Sequence, residues 1–222
     1  MNNLNHIAFI MDGNGRWGEK RKKGRNFGHL KGVETVKKIV TASLRLNIPI
    51  ITFYVFSSEN WKRPKKERSY LFKLIKSYFL KEIGSIIKQG IKLQVLGEVK
   101  KFSTDLKLVL KKTTLLTKNN KKIIVNLAIN YGSRTEILKA LKKSRKNLSI
   151  KNVGRNLYTK KMPDPDILIR TGGYQRLSNF LLWQLAYTEL FFFKKLWPDF
   201  NSNDLFKVIR QYKKIKRNYG NI

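Results

Sequence analysis

The 222-residue chain contains no cysteine. That excludes disulfides and thiolate metal sites and points to a reducing compartment. Acids are also scarce, with 14 Asp+Glu against 48 Lys+Arg and a formal net charge of +34. There are two histidines and five prolines, too few for a histidine-rich metal tract or a proline-rich linker. Long apolar runs are missing as well. The longest stretch free of Lys and Arg, LSNFLLWQLAYTELFFF (177–193), is 17 residues long and contains Asn179, Gln184 and Glu189. A membrane span takes about 20 mostly apolar residues. No apolar leader precedes the first strand-like run, so the expectation is a soluble cytoplasmic protein that touches the inner membrane face.

The positive charge has two readings. Nucleic acid, anionic lipid and phosphorylated substrates would all be drawn to it. Alternatively, it reflects the lysine-, asparagine- and isoleucine-rich usage of an AT-biased genome. The lysines are spread along the chain and form no single basic arm.

Apolar residues make up 41% of the chain, enough for one core, and residues 1–222 read as a single domain. Strand-like runs at 6–11, 50–56, 91–97, 122–130 and 166–173 alternate with helical periodicity at 28–46, 68–88, 104–118, 133–146 and 204–216. This alternation predicts an α/β fold with a mainly parallel sheet flanked by helices. The polar, Gly/Pro-punctuated stretch 145–166 reads as a long surface connection.

Ligands of such sheets sit beyond the carboxyl ends of the strands. That rule selects Asp12–Trp17, Ser57–Arg63, Asn130–Arg134 and Arg170–Ser178. The loop DGNGRW is either a tight turn or an anion nest built from the amides of Gly13, Asn14 and Gly15 with Arg16. An acid inside an anion site is costly unless a divalent cation bridges it to the anion, so Asp12 suggests Mg²⁺ between a carboxylate and a phosphate. After the second strand, Ser57, Ser58, Glu59 and Asn60 offer small polar groups, Trp61 a flat wall and Arg63 a phosphate fork; the same residues suit a capped helix start near Pro64, with Glu67 in its first turn. Arg170 and Arg176 flank Gly172-Gly173, with Ser178 as a further donor. Glu189 is a lone acid in an apolar run, and its partner could be a metal, an arginine or the surface. His29, near Arg25 at the start of a helix, is a surface residue or a phosphate donor.

The blocks HIAFIMDGNGRW, GHLKG, FSSENWKRP, NYGSR and RTGGYQRLSNFLLWQLAYTELFF…LWPDF, in this order along nearly the whole chain, closely resemble the cis-prenyltransferases, in particular the bacterial undecaprenyl diphosphate synthases. The resemblance implies a homodimer with a six-strand, mainly parallel sheet and a hydrophobic tunnel for the growing chain. It implies Mg²⁺-dependent condensation of isopentenyl diphosphate onto an allylic diphosphate, usually farnesyl diphosphate. The product would be a long-chain polyprenyl diphosphate of the undecaprenyl type, the lipid-carrier precursor for peptidoglycan and cell-wall synthesis. Asp12 would be the essential acid and, with Glu189, would hold the metal. Gly13, Asn14, Gly15, Arg16, Trp17, Arg25, His29, Ser57, Ser58 and Glu59 would hold the allylic substrate. Asn60 would belong to proton removal, and Trp61 and Arg63 to substrate binding. Arg170, Arg176, Leu177 and Ser178 would bind isopentenyl diphosphate. Two departures stand out: Tyr174-Gln175 where the family usually has an acid after the paired glycines, and Asn218-Tyr219-Gly220 where its tail usually carries an arginine, a role for which Arg217 is the nearest substitute.

Residues 68–88 bear apolar side chains on more than one face, and with the fourth strand they are expected to wall the tunnel, with Ile123 and Val125 limiting product length. Two rivals carry less. A nucleic-acid binder would show aromatics interleaved with basic residues or a known binding motif, and neither is evident. A nucleotide-sugar transferase would use Asp164-Pro165-Asp166 as a metal pair, but that triplet precedes a strand and reads as its start.

Overall fold

The β-branched and aromatic runs assemble into one sheet. In the computed structural model, which describes residues 3–217, six strands lie in the order β3-β4-β2-β1-β5-β6 and every neighbouring pair is parallel. The strands are β1 (His6–Ile10), β2 (Ile50–Ser57), β3 (Ile91–Leu96), β4 (Ile123–Tyr131), β5 (Ile167–Arg170) and β6 (Glu189–Phe192). The helices are α1 (Asn14–Lys20), α2 (Gly24–Arg45), α3 (Lys65–Lys88), α4 (Thr104–Leu116), α5 (Ser133–Ser144), α6 (Ile150–Gly154) and α7 (Ser202–Lys214). The fold is the expected α/β sheet flanked by helices, with a sheet that is wholly parallel.

Period-2 alternation sends side chains to two cores. Ile7 and Phe9 of β1, Ile51 and Phe53 of β2, and Val125, Leu127 and Ile129 of β4 pack in one core with Ile39, Phe79, Trp197 and Phe200. Ala8, Ile10, Ala128 and Leu168 face the other, against Phe180, Leu181 and Leu185.

Three elements differ from the sequence reading. The stretch Asn14–Lys20 is a helix, started after Gly13 at φ 107, and not an open loop. The apolar run 177–193 is mostly turn and ends in the short strand β6. The connection 145–166 holds α6, capped by the Ser149 side chain. No helix among the described residues is long and apolar enough to cross a membrane. The Asp164-Pro165-Asp166 triplet does start a strand: Asp166 Oδ2 accepts the backbone N–H groups of Asn5 (2.7 Å) and His6 (3.0 Å), tying β5 to β1.

Helices α1 and α2 touch through backbone. A Cβ on Gly28 would lie 1.8 Å from the Asn14 carbonyl oxygen, so only glycine permits this approach. Between α2, α3 and the sheet lies an apolar cavity of about 110 Å³, bordered by Val33, Val36, Leu74, Ile75, Phe79 and Leu127, among others.

Candidate active site

The carboxyl ends of β1, β2 and β5 open onto a polar cavity of about 350 Å³. Met11, Asn14, His29, Val55 and Leu71 line both this cavity and the apolar one, so the two lie side by side.

Asp12 follows β1 and sits at the centre. Its backbone carbonyl accepts the Trp197 N–H (3.0 Å) and the Thr171 hydroxyl (2.8 Å). Its carboxylate accepts Arg16 Nη2 on Oδ1 (3.2 Å) and Arg170 Nη2 on Oδ2 (2.9 Å). Arg170 is 3% exposed. It also donates to Ser178 Oγ (2.8 Å) and to the Arg176 carbonyl, while its buried Nε has no hydrogen-bond partner. A buried guanidinium with N–H groups left over beside a partly exposed carboxylate suits an anion arriving with a counter-cation.

The second cationic group is organised by Glu67 in the first turn of α3. Its buried carboxylate accepts Arg25 Nε (3.1 Å), His29 Nε2 (3.2 Å) and Arg63 Nη1 (3.4 Å). Burial alone would raise the Glu67 pKa, but the Arg25 bond and the charges of Arg25 and Arg63 outweigh it and hold the carboxyl below its usual range. Burial, reinforced by the two arginines, pushes His29 down from 6.5. At neutral pH His29 is therefore uncharged, and its Nε2–H donates to Glu67. Arg25, His29 and Arg63 all line the polar cavity.

After β2, the Ser57 hydroxyl accepts the Asn60 N–H and the Asn60 side chain accepts the Ser57 N–H, a reciprocal cap that fixes both at the cavity wall. Gly13, Asn14 and Gly15 line the same space, as do Arg176 and Ser178. Thus Asp12, Gly13, Asn14, Gly15, Arg16, Arg25, His29, Ser57, Asn60, Arg63, Arg170, Arg176 and Ser178, all singled out from the sequence, line one cavity.

Other expected residues stand elsewhere. Trp17 does not line the cavity; its Nε1–H donates to Asp199 Oδ1 (2.6 Å) and its ring stacks on Phe27. Trp61 donates to Asn130 Oδ1 (2.7 Å) and stacks on Phe102, so it belongs to the core beneath the site. Glu59 and Leu177 border a neighbouring depression, where Glu59 accepts Asn179 Nδ2 (2.7 Å) and Ser58 donates to Glu59. Glu189 and Asp12 are not brought together within the chain. Glu189 opens β6 level with Ile167 and Ile7, five residues of strand before Asp12, on the order of 15 Å away. Its carboxylate lies 3.9 Å from Arg217 Nε. Arg217 itself is bound to Asp166 (3.1 Å) and the Tyr187 carbonyl (2.7 Å) at that far end, and does not reach the polar cavity. The tail Asn218-Tyr219-Gly220 lies outside the described residues.

Glu67 and Tyr54 were not singled out from the sequence. The Tyr54 hydroxyl lies 3.2 Å from the carbonyl oxygens of both Tyr131 and Ser178, and Tyr54 also lines the cavity. Glu67 carried a signal: a scarce acid four residues after an arginine at the start of a helix.

No group of three or more acids and histidines that could cage a metal occurs among the described residues. A lone carboxylate does suit Mg²⁺, which keeps water and substrate phosphate oxygens and is typically held by one or two carboxylates. Asp12 fits that donor set.

The whole-chain comparisons agree with this geometry. Residues 10–220 match the family model described as "Putative undecaprenyl diphosphate synthase". An isoprenyl transferase of Rickettsia felis is 44% identical, over 99% of this chain and 95% of that protein. One of Clostridium tetani is 43% identical, over 98% and 89%. The fold matches a lavandulyl diphosphate synthase from Lavandula x intermedia, crystallised with dimethylallyl diphosphate, at a TM-score of 0.94 and 31% identity, covering 98% of each chain. It also matches a probable undecaprenyl diphosphate synthase from Campylobacter jejuni, at a TM-score of 0.86 and 31% identity, covering all of both chains. With its strand-end arginines gathered on Asp12 and its matches running from end to end, the chain belongs to the undecaprenyl diphosphate synthase family of prenyltransferases.

Proposed function

We propose that the protein condenses isopentenyl diphosphate units onto an allylic diphosphate, farnesyl diphosphate by preference, with Mg²⁺, to give a long-chain cis-polyprenyl diphosphate of the undecaprenyl type. One observation supports this reading: a polar, arginine-lined cavity adjoins an apolar one and shares five wall residues with it, so a diphosphate head and a prenyl tail would each meet their own chemistry.

In this reading the allylic diphosphate lies over Gly13–Arg16, with Arg25, His29 and Arg63 around it. The isopentenyl diphosphate is gripped by Arg170, Arg176 and Ser178. Asp12 stands between the two and would hold Mg²⁺, which when bound neutralises the leaving diphosphate. The allylic C–O bond breaks and its electron pair leaves with the diphosphate. The isopentenyl double bond supplies the pair for the new C–C bond, and loss of a proton from the isopentenyl unit restores a double bond. The departing diphosphate is the base we assign, because Asn60 is a neutral amide whose oxygen is already occupied by the Ser57 N–H. Asn60 and Ser57 orient the reacting carbons. Glu189 stands too far from Asp12 within one chain, so a metal role for it would require the homodimer that the sequence resemblance implies. The enzyme would work in the cytoplasm and release its product to the membrane as a cell-wall lipid-carrier precursor.

The test is incubation with labelled isopentenyl diphosphate, farnesyl diphosphate and Mg²⁺, followed by sizing of the products. Mg²⁺-dependent incorporation is expected; its absence overturns the reading. The Asp12→Ala variant should keep its circular dichroism and lose at least about a hundredfold in turnover, the scale of removing one charge-stabilising group.

A further inference from the structure

After β5 the chain turns through Gly172 and Gly173, both in the left-handed region. Their N–H groups are pinned to the Lys195 and Phe193 carbonyls (2.8 Å each). The turn delivers Tyr174, 42% exposed, beside arginines of the polar cavity. Three guanidinium carbons surround its ring: Arg176 at 4.0 Å from the centroid, Arg16 at 4.9 Å and Arg170 at 5.9 Å. All three arginines line the cavity. Asp12 pairs with Arg16 and Arg170, but among the described residues no carboxylate pairs with Arg176.

We infer that Tyr174 is a positioning residue whose ring holds Arg176 at the diphosphate site without neutralising it. This rests on the diphosphate reading above. A cation is attracted to the negative face of an aromatic ring, and the attraction leaves its full charge and its N–H fork available to an incoming anion. A carboxylate in the same place would hold the same arginine, but each diphosphate would have to compete with it. With Tyr174 the free site keeps the Arg176 guanidinium in place against the ring, so less side-chain freedom is lost when the anion arrives.

The probe is inorganic pyrophosphate, titrated calorimetrically without added metal into the full chain and into Tyr174→Phe, Tyr174→Leu, Tyr174→Ala and Tyr174→Glu. Phe keeps the ring and should bind within about twofold of the unaltered protein. Leu and Ala, which lack a π face, should each weaken binding roughly five- to tenfold, and Glu at least as much. In turnover the Leu and Ala variants should raise KM for isopentenyl diphosphate by a similar factor while kcat changes little. Equal binding by the Leu and Phe variants would reduce Tyr174 to bulk and overturn the inference; so would an unaffected Ala variant, or no pyrophosphate binding by the unaltered protein. Folding is checked by thermal melting, which an exposed side chain should scarcely shift. The titration needs no turnover, so a failed condensation assay would overturn the proposed reaction while the pyrophosphate affinities still decide the role of Tyr174.

Discussion

Glu67 is a single carboxylate that three cationic or potentially cationic side chains share, and two of the three, Arg25 and His29, are remote in sequence. Removing it would leave Arg25, Arg63 and His29 crowded in a partly buried space. Glu67→Ala should therefore destabilise the fold by about 2 kcal/mol and raise KM for the allylic substrate. Denaturant unfolding and steady-state kinetics measure the two effects separately. Glu67→Gln keeps the shape and one acceptor and should fall between the unaltered protein and the alanine variant. At this scale the sequence was informative where a residue type is scarce and its surroundings are local. Asp12 stood out because it ends a strand beside glycines. Glu67 did not, because a helix-start acid has an ordinary explanation, and its partners Arg25 and His29 come from another helix. Glu189 stood out as an isolated acid, but nothing local shows which end of the sheet it occupies.

At the scale of elements, α1 is only as well placed as its contact with α2. Gly28→Ala would force a methyl group against the Asn14 carbonyl, where backbone cannot yield cheaply. The expected result is a loss of about 2–3 kcal/mol together with weaker binding of the allylic substrate, since α1 carries Arg16. Melting and pyrophosphate titration of the variant check both. If the apolar cavity takes the prenyl chain, its lining offers other candidates than Ile123 and Val125 for limiting product length. Leu127 and Ile129 of β4 line it, whereas Val125 and Ile123 lie on the same face but outside the lining. Leu127→Ala should lengthen the product and cost roughly 2–4 kcal/mol, with Val125→Ala giving a smaller extension. Unchanged lengths for both would remove β4 from the wall. Strands β1 to β5 were readable because their apolar runs end abruptly in polar or glycine-rich segments. Helix α1 was obscured by its glycines. Strand β6 was obscured because the apolar run around it has no internal boundary.

For the whole molecule, both histidines favour the same pH range. His6 is buried, with Nδ1–H donated to the Pro163 carbonyl (2.9 Å) and Nε2 accepting the Thr52 hydroxyl (2.7 Å). Burial lowers its pKa from 6.5 to about 4. The unfolded chain takes up this proton first, so the stability is complete above pH 6.5 and is lost as pH falls toward 4. The loss from His6 alone is roughly 3 kcal/mol. His29, also lowered, adds in the same direction. Thermal midpoints measured from pH 7 to 4.5 should fall, and His6→Gln should flatten that slope while lowering the midpoint at pH 7. An unchanged slope would contradict the buried neutral His6.

The central place of β1 has a consequence in time. Strand β1 leaves the ribosome well before β5, yet it lies between β2 and β5, and Arg170 stands 158 residues after Asp12. Before β5 emerges, one flank of β1 has no partner, and Asp12 has no Arg170. Contacts this far apart close late and leave apolar edges exposed while they wait. During synthesis the nascent chain must therefore carry an open, sticky edge on β1 until β5 has emerged, and only then does Asp12 meet Arg170.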